Sequence, residues 1–184
     1  ILWNRNNYLM KFFIFIIFFL FSKLTLAEGY DVFGLGYYDI KFDGSQTNEA
    51  IDFRYERRFD YSLFQIGPET YDFFNLKPFA GFEITSDSAT YFLVGVYVED
   101  NIGTLFTNKS SNFIITPSFG AGYYDDGDGK KLGNEIEFRT TLELSYQLQN
   151  KNRIGLSFGH ISNANLGDKN PGTEILSLSF QRPY

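Results

Sequence analysis

The stretch from Asn134 to Leu148 constrains this chain more than any other. Ile136, Phe138, Thr140, Leu142, Leu144, Tyr146 and Leu148 fall on one parity, and Glu137, Arg139, Thr141, Glu143, Ser145 and Gln147 on the other. A two-residue period belongs to a β-strand, whose successive side chains point to opposite faces, whereas a helix repeats every ~3.6 residues. The alternation holds for fifteen residues. An average strand in soluble proteins has only roughly 5–6 residues, so this length fits a tilted strand of a membrane barrel with extensions at its ends.

The pattern recurs along the chain. Ile51, Phe53 and Tyr55 oppose Asp52, Arg54 and Glu56; Ile115, Pro117, Phe119, Ala121 and Tyr123 oppose Thr116, Ser118, Gly120 and Gly122. Ile154, Leu156 and Phe158 oppose Arg153, Gly155, Ser157 and Gly159, and Leu176, Leu178 and Phe180 oppose Ser177, Ser179 and Gln181. The polar parity mixes acids, arginines and glycines, which suits a narrow interior where charges pair. A water-facing outer surface would carry more lysine, so the apolar parity is expected to face lipid. The expected fold class is all-β: an eight-stranded antiparallel transmembrane β-barrel of outer-membrane type, an even number that matches the smallest membrane barrels. Its strands are expected over 30–40, 48–58, 77–85, 89–98, 112–124, 134–148, 152–162 and 174–183. The third and fourth are the least sharply defined, because long connections (59–76 and 99–111) flank them. Leu176, Leu178 and Phe180 share the parity of Tyr184, with Arg182 interrupting the row. A terminal aromatic after alternating apolar residues resembles the C-terminal signature of outer-membrane barrels. With both termini on the periplasmic side, 41–47, 86–88, 125–133 and 163–173 would face the exterior, and 59–76, 99–111 and 149–151 the periplasm.

Ahead of the strands, Met10 and Lys11 precede a run of ten Phe, Ile and Leu residues from Phe12 to Phe21, followed by Ser22-Lys23-Leu24-Thr25-Leu26-Ala27. The run is too short for a bilayer-spanning helix, which needs roughly 20 apolar residues, and has the form of a cleaved secretory signal. Translation is expected to start at Met10, with residues 1–9 upstream of it, and cleavage to follow Ala27, leaving 28–184 as one domain. An uncleaved anchor is the alternative, disfavoured by length. Residues 1–27 hold Arg5, Lys11 and Lys23 but no acid, so 28–184 carries thirteen basic against 22 acidic residues. So acidic a chain is a poor partner for nucleic-acid phosphates. With no cysteine and a single histidine, disulfides, thiolate catalysis, cysteine-bound zinc and His-cluster metal sites are excluded. No cofactor is expected. Trp3 precedes the mature chain, so Tyr and Phe must supply the interfacial aromatic belts.

Near the C-terminus, Gly159-His160-Ile161-Ser162-Asn163-Ala164-Asn165 closes the seventh expected strand, and Asn170-Pro171-Gly172-Thr173-Glu174 opens the eighth. By parity His160 and Ser162 continue the row Ile154, Leu156, Phe158, and Glu174 continues the row Leu176, Leu178, Phe180. All three polar residues therefore fall on the lipid side, where polar groups are costly unless paired or interfacial. Two explanations fit. They could be ordinary interfacial residues capping a hairpin, which spacing alone favours because His-x-Ser is a weak pattern. Or they could be a nucleophile, its base and an orienting acid, since a serine hydroxyl needs an adjacent base and a histidine an acid to hold its tautomer.

These two segments resemble the active-site signature of the PagL-type lipid A 3-O-deacylases, also called acyloxyacyl hydrolases. Similarity to that family extends over Gly34-Leu35-Gly36-Tyr37-Tyr38-Asp39, Phe53-Arg54-Tyr55-Glu56-Arg57-Arg58, Lys77-Pro78-Phe79-Ala80-Gly81, Thr116-Pro117-Ser118-Phe119 and Gly129-Lys130-Lys131-Leu132-Gly133. The resemblance implies an eight-stranded outer-membrane barrel with its triad on the lipid-facing surface: Ser162 as nucleophile, His160 as general base and Glu174 as orienting acid. It places the backbone N–H of Asn170 in an oxyanion hole, and Asn163 and Ala164 around the same pocket. The implied reaction is hydrolysis of the ester-linked 3-hydroxyacyl chain at position 3 of lipid A in the outer leaflet of a bacterial outer membrane. No cofactor, metal or nucleic acid enters, and a homodimer is left open. The short loops carry no information on acyl-chain selectivity.

Other signals are weaker. Asp125-Asp126-Gly127-Asp128-Gly129 lacks the twelve-residue ligand pattern of a calcium loop and reads as a solvated hairpin. Arg54, Glu56, Glu137, Arg139 and Glu143 lie on the inward parity, as a structural network would. Two other functions compete: a non-catalytic small barrel, and a barrel esterase acting on another lipid. A pore is disfavoured, because about eight strands leave an interior filled by side chains.

Overall fold

Each long strand of the chain pairs antiparallel with the next, and the last returns to the first. In the computed structural model, which describes residues 28–41, 48–65, 67, 75–107 and 109–184, the strands are β1 (Gly29–Tyr38), β2 (Ala50–Phe59), β3 (Asn75–Thr85), β4 (Thr90–Tyr97), β5 (Phe113–Asp125), β6 (Ile136–Gln147), β7 (Arg153–Ser162) and β8 (Thr173–Pro183). Closure comes from β1 against β8, in register from Tyr30↔Pro183 to Tyr38↔Ile175. The result is a closed eight-stranded antiparallel barrel. All eight expected strands are present, with ends within two residues of expectation. The expected leader, with Met10, Trp3 and the cleavage after Ala27, lies outside the described residues.

Burial runs opposite to that of a water-soluble protein. Along β6, Glu137, Arg139, Thr141, Glu143 and Ser145 are buried while Leu142, Leu144 and Tyr146 are exposed. Across the barrel Leu35 and Leu178 are 62% and 64% exposed, whereas Glu56, Glu137 and Glu143 are fully enclosed. The apolar parity thus forms the outer, lipid-facing surface.

Inside, charges from opposite walls meet. Arg58 of β2 binds Glu143 of β6 at 2.7 Å and Glu56 at 2.9 Å, and Arg54 reaches Glu143 at 3.3 Å. Arg139 of β6 pairs with Glu56 of β2 and Glu83 of β3. From β8, Ser179 and Gln181 donate to the same Glu143, at 2.9 and 2.7 Å. Glu56 and Glu143 thus each meet several donors, the condition under which buried ions are tolerated. Toward the mouth away from the termini the filling becomes apolar: Tyr38, Ala50, Tyr91, Tyr124, Ile161 and Ile175 pack with Leu132, which reaches in from the β5–β6 connection.

Two features of the long connections went unanticipated. Phe64 and Gln65 pair with the start of β3, and Asp100 and Asn101 pair with Ile115 and Ile114 of β5. The six-residue helix α1 (Ile102–Thr107) follows. Asn101 caps it, its Oδ1 accepting the N–H groups of Gly103 and Thr104 at 2.9 and 3.3 Å, as helix-start asparagines do.

Substituting Arg139→Leu would leave Glu83 and Glu56 enclosed without that guanidinium. Breaking a buried pair from one side costs about 3–5 kcal/mol. The urea midpoint of the barrel in lipid vesicles should fall accordingly, while Leu178→Ala on the outer face should leave it nearly unchanged. An unchanged midpoint for Arg139→Leu would show that the interior network does not hold the walls together.

Candidate active site

Register, more than sequence distance, assembles the candidate residues. His160 on β7 lies directly opposite Glu174 on β8 and, on its other side, opposite Thr140 on β6. Thr140 in turn faces Phe119 on β5. One outward row therefore reads Phe119, Thr140, His160, Glu174 across four adjacent strands. One step toward the mouth, Ser162 stands opposite Phe138.

The His160 Nδ1 lies 3.2 Å from Glu174 Oε1, with the two side chains 44% and 35% exposed. With Nδ1–H donated to the carboxylate, the other ring nitrogen, Nε2, is the one available to exchange a proton. An open cleft of about 280 Å³ runs beside the pair, lined by Phe119, Phe138, Thr140, His160, Ser162 and Ala164. The Phe119 and Phe138 rings are stacked at 6.1 Å and supply its apolar wall. The Ser162 hydroxyl has no hydrogen bond among the described residues. Catalytic hydrogen bonds are often long without substrate and tighten in the complex.

The turn beyond Ser162 is tightly determined. Ala164 and Asn165 both adopt left-handed backbone, at φ 52° and 63°. Asn163, fully enclosed, accepts the Asn165 N–H at 2.9 Å and donates from Nδ2 to the carbonyls of Leu132 and Lys169 at 2.9 and 2.7 Å. Its own N–H donates to Asn170 Oδ1 at 3.1 Å. Asn163 is thus a pin beneath the turn, while Ala164 lines the cleft directly.

The start of β8 is anchored from the lumen side. Asp39, fully buried at φ 58°, pairs with Lys130 and accepts the Thr173 hydroxyl at 3.4 Å. Ile40 N–H donates to the Glu174 carbonyl at 3.1 Å. Tyr38 OH donates to Tyr124 OH (3.0 Å), which donates to the Lys130 carbonyl (2.7 Å). The Gly129–Gly133 segment, noted in sequence for its resemblance, is therefore the support on which the β7–β8 hairpin rests.

Four residues at the site were not singled out from sequence. Phe119, Phe138 and Thr140 line the cleft, and the available signal was Thr140, a polar residue in an otherwise apolar outward row. The fourth is Gly172, at φ +59°: a Cβ there would sit 2.9 Å from His160 Cε1 and 3.5 Å from Nε2. Only glycine leaves that side of the imidazole open while adopting this backbone without strain.

A membrane-spanning barrel bearing a histidine–carboxylate pair and a serine at its outward rim belongs to a class of barrels with a candidate site open to the bilayer instead of to a lumen. The model of the family described as "Lipid A 3-O-deacylase (PagL)" matches residues 33–183, and the chain belongs to that family. Lipid A deacylase PagL of Bordetella bronchiseptica is 33% identical over 70 residues, a stretch spanning 37% of this chain and 39% of that protein. The crystal structure of the outer membrane enzyme PagL superposes with a TM-score of 0.60 at 17% identity, over 84% of this chain and 99% of that one. A chain from the de novo design of transmembrane β-barrels gives 0.55 at 13% identity, over 86% of this chain and 96% of its own length. Neisserial surface protein A gives 0.52 at 11%, over 85% and 97%. At these identities the structural likenesses establish the barrel fold alone.

Gly172→Ala tests the packing on His160. The methyl must displace the imidazole or strain the turn, so ester turnover should fall at least tenfold, about 1.4 kcal/mol of barrier, with KM little changed and heat-modifiable mobility retained. Full turnover by a correctly folded Gly172→Ala barrel would place the reacting face of His160 elsewhere.

Proposed function

We propose that the protein is an outer-membrane serine esterase that removes the ester-linked 3-hydroxyacyl chain at position 3 of lipid A, using Ser162, His160 and Glu174. The observation that carries the proposal is the 3.2 Å His160–Glu174 contact on the lipid-facing side of the barrel, in a cleft that also holds Ser162 and in a chain of the lipid A 3-O-deacylase family.

In this scheme Ser162 Oγ attacks the ester carbonyl as His160 Nε2 takes its proton, and Glu174 stabilises the imidazolium through Nδ1–H. The oxyanion of the tetrahedral intermediate is held by backbone N–H groups of the turn, with that of Asn170 assigned to it and Asn163 and Ala164 shaping the pocket. Collapse releases the sugar alkoxide, which takes the proton from His160 and leaves an acyl-serine. Water, activated by the same imidazole, then frees the hydroxy fatty acid. The stacked Phe119 and Phe138 offer an apolar wall to the acyl chain.

Depth supports the substrate. His160 and Glu174 stand where the apolar outward rows of β7 and β8 end, beside the mouth away from the termini. With the termini periplasmic, that level is the outer leaflet, where the ester linkages of lipid A lie below its sugars. We further assign residues 1–27 as upstream residues and cleaved signal; β1 begins at Gly29, the second residue after the assigned cleavage. A homodimer is compatible with this scheme, because all three catalytic residues come from one chain.

Expression in a host whose lipid A carries a 3-O-linked hydroxyacyl chain should lower the lipid A mass by one such group. Ser162→Ala and His160→Ala should each abolish the shift while the barrel keeps its heat-modifiable mobility. A folded, inserted wild-type barrel that leaves lipid A unchanged would overturn the proposal. Release of fatty acid from phospholipid but not from lipopolysaccharide would redirect it to another lipid ester.

A further inference from the structure

The outer face carries a second polar feature at the opposite rim. On β2, β1 and β8, Arg57, Asp31 and Arg182 lie directly across from one another, one step beyond the apolar row Tyr55, Phe33, Phe180. Arg57 lies 3.5 Å from Asp31 Oδ1 and Arg182 3.4 Å from Oδ2. The Tyr55 hydroxyl donates to Oδ1 at 2.8 Å, and the Arg57 guanidinium stacks 3.6 Å over the Tyr184 ring. The Asp31 side chain is only 7% exposed, whereas those of Arg57 and Arg182 are 40% and 62% exposed. The acid is covered and the two cations are presented.

Depth gives this arrangement a meaning. Arg182 and Glu174 lie on the same outward parity of β8, with Leu176, Leu178 and Phe180 between them. Eight residues of strand span about 27 Å, or about 20 Å along the axis at a tilt near 40°. The apolar band of an outer-membrane barrel is ~25 Å tall. Glu174 therefore marks one edge of the band and the arginine pair the other, at headgroup level of the leaflet on the side of the termini.

We propose that Arg57 and Arg182 form a binding site for the phosphate of a phospholipid headgroup in that leaflet. A guanidinium offers five N–H donors in a fork that fits phosphate oxygens, and Asp31 occupies only part of each fork. The shared carboxylate and the Tyr184 ring fix both groups in place, so little side-chain freedom is lost on binding. The two cations against one acid leave a positive excess facing the headgroups, while Tyr55 and Tyr184 suit the polar–apolar boundary. The site would seat the barrel vertically, holding the candidate catalytic row at its own level in the far leaflet.

Native mass spectrometry of the detergent-purified barrel tests this, using phosphatidylglycerol, phosphatidylethanolamine and diacylglycerol of identical acyl chains. Both phospholipids should be retained and diacylglycerol should not. Arg57→Gln/Arg182→Gln should reduce phospholipid retention about tenfold or more, the scale of one lost charge-assisted contact. Arg182→Gln alone, at the more exposed position, should reduce it in part and serves if the double variant fails to fold. Millimolar inorganic phosphate should not displace phosphatidylglycerol. Equal retention of diacylglycerol, or undiminished retention by folded Arg182→Gln and the double variant, would make the cluster an intramolecular pin only. Displacement by inorganic phosphate would make it a site for the free anion and overturn the lipid assignment. Ester turnover in detergent micelles is unaffected by either variant, which separates this site from the catalytic proposal.

Discussion

Within hydrocarbon there is no water to accept a stray backbone hydrogen bond, and each unsatisfied N–H or C=O costs several kcal/mol. A sheet can meet that demand only by closing, and the β1–β8 ladder from Tyr30↔Pro183 to Tyr38↔Ile175 does so. Everything else follows from the closure. Eight strands leave a lumen just wide enough for side chains, so the inward parity must fill it, and the outward parity must be apolar. The arginines and glutamates of β2, β3 and β6 make up much of that filling, with the apolar cluster around Leu132 beside them. Their long side chains cross the lumen and pair with one another, so the charges between the two rims lie inside the barrel while the outward rows there are apolar.

A filled lumen also dictates where chemistry can occur. No substrate can enter between Arg58, Glu143 and Gln181, so a site must lie at a rim or on the outer wall. The outer wall faces lipid. A histidine, a serine and a glutamate placed there are presented to the bilayer and not to a lumen. The same geometry that forbids a pore thus favours a lipid-directed reaction, with the cleft walls made from outward residues of β5, β6 and β7.

Period-two patterning made the strands, their facing and the outward parity of His160, Ser162 and Glu174 legible in the sequence. Parity could not supply register. That His160 stands opposite Glu174, and Thr140 opposite His160, depends on the length and shape of two connections, one of them turned by left-handed Ala164 and Asn165. Nor could it reveal that Asn163, which the resemblance places around the pocket, is an enclosed side chain reaching the Leu132 carbonyl. Contacts of that kind join segments about thirty residues apart, and no local pattern encodes them. Gly172 was visible as a motif residue, but its role depends on where the His160 ring lies. The helix α1 escaped notice although its capping asparagine is explicit, because six residues carry too little periodicity to read.

Left-handed alanine and asparagine conformations cost of order 1–3 kcal/mol each and persist only where their surroundings over-determine them. Here the determination comes from the lumen side of the wall: Asn163 to Leu132 and Lys169, Lys130 to Asp39, Thr173 to Asp39. The outward side of the same hairpin is left with few internal bonds beyond His160–Glu174. One face of the strand pair is therefore committed to fixing the backbone, and the other is left open to a substrate arriving laterally through the bilayer. In a soluble enzyme a site of this kind needs a pocket cut into the core, and the core must be spared to make it. In a barrel the pleat separates the two tasks at every second residue, so the hairpin can be rigid on one side and available on the other without either compromising its neighbour.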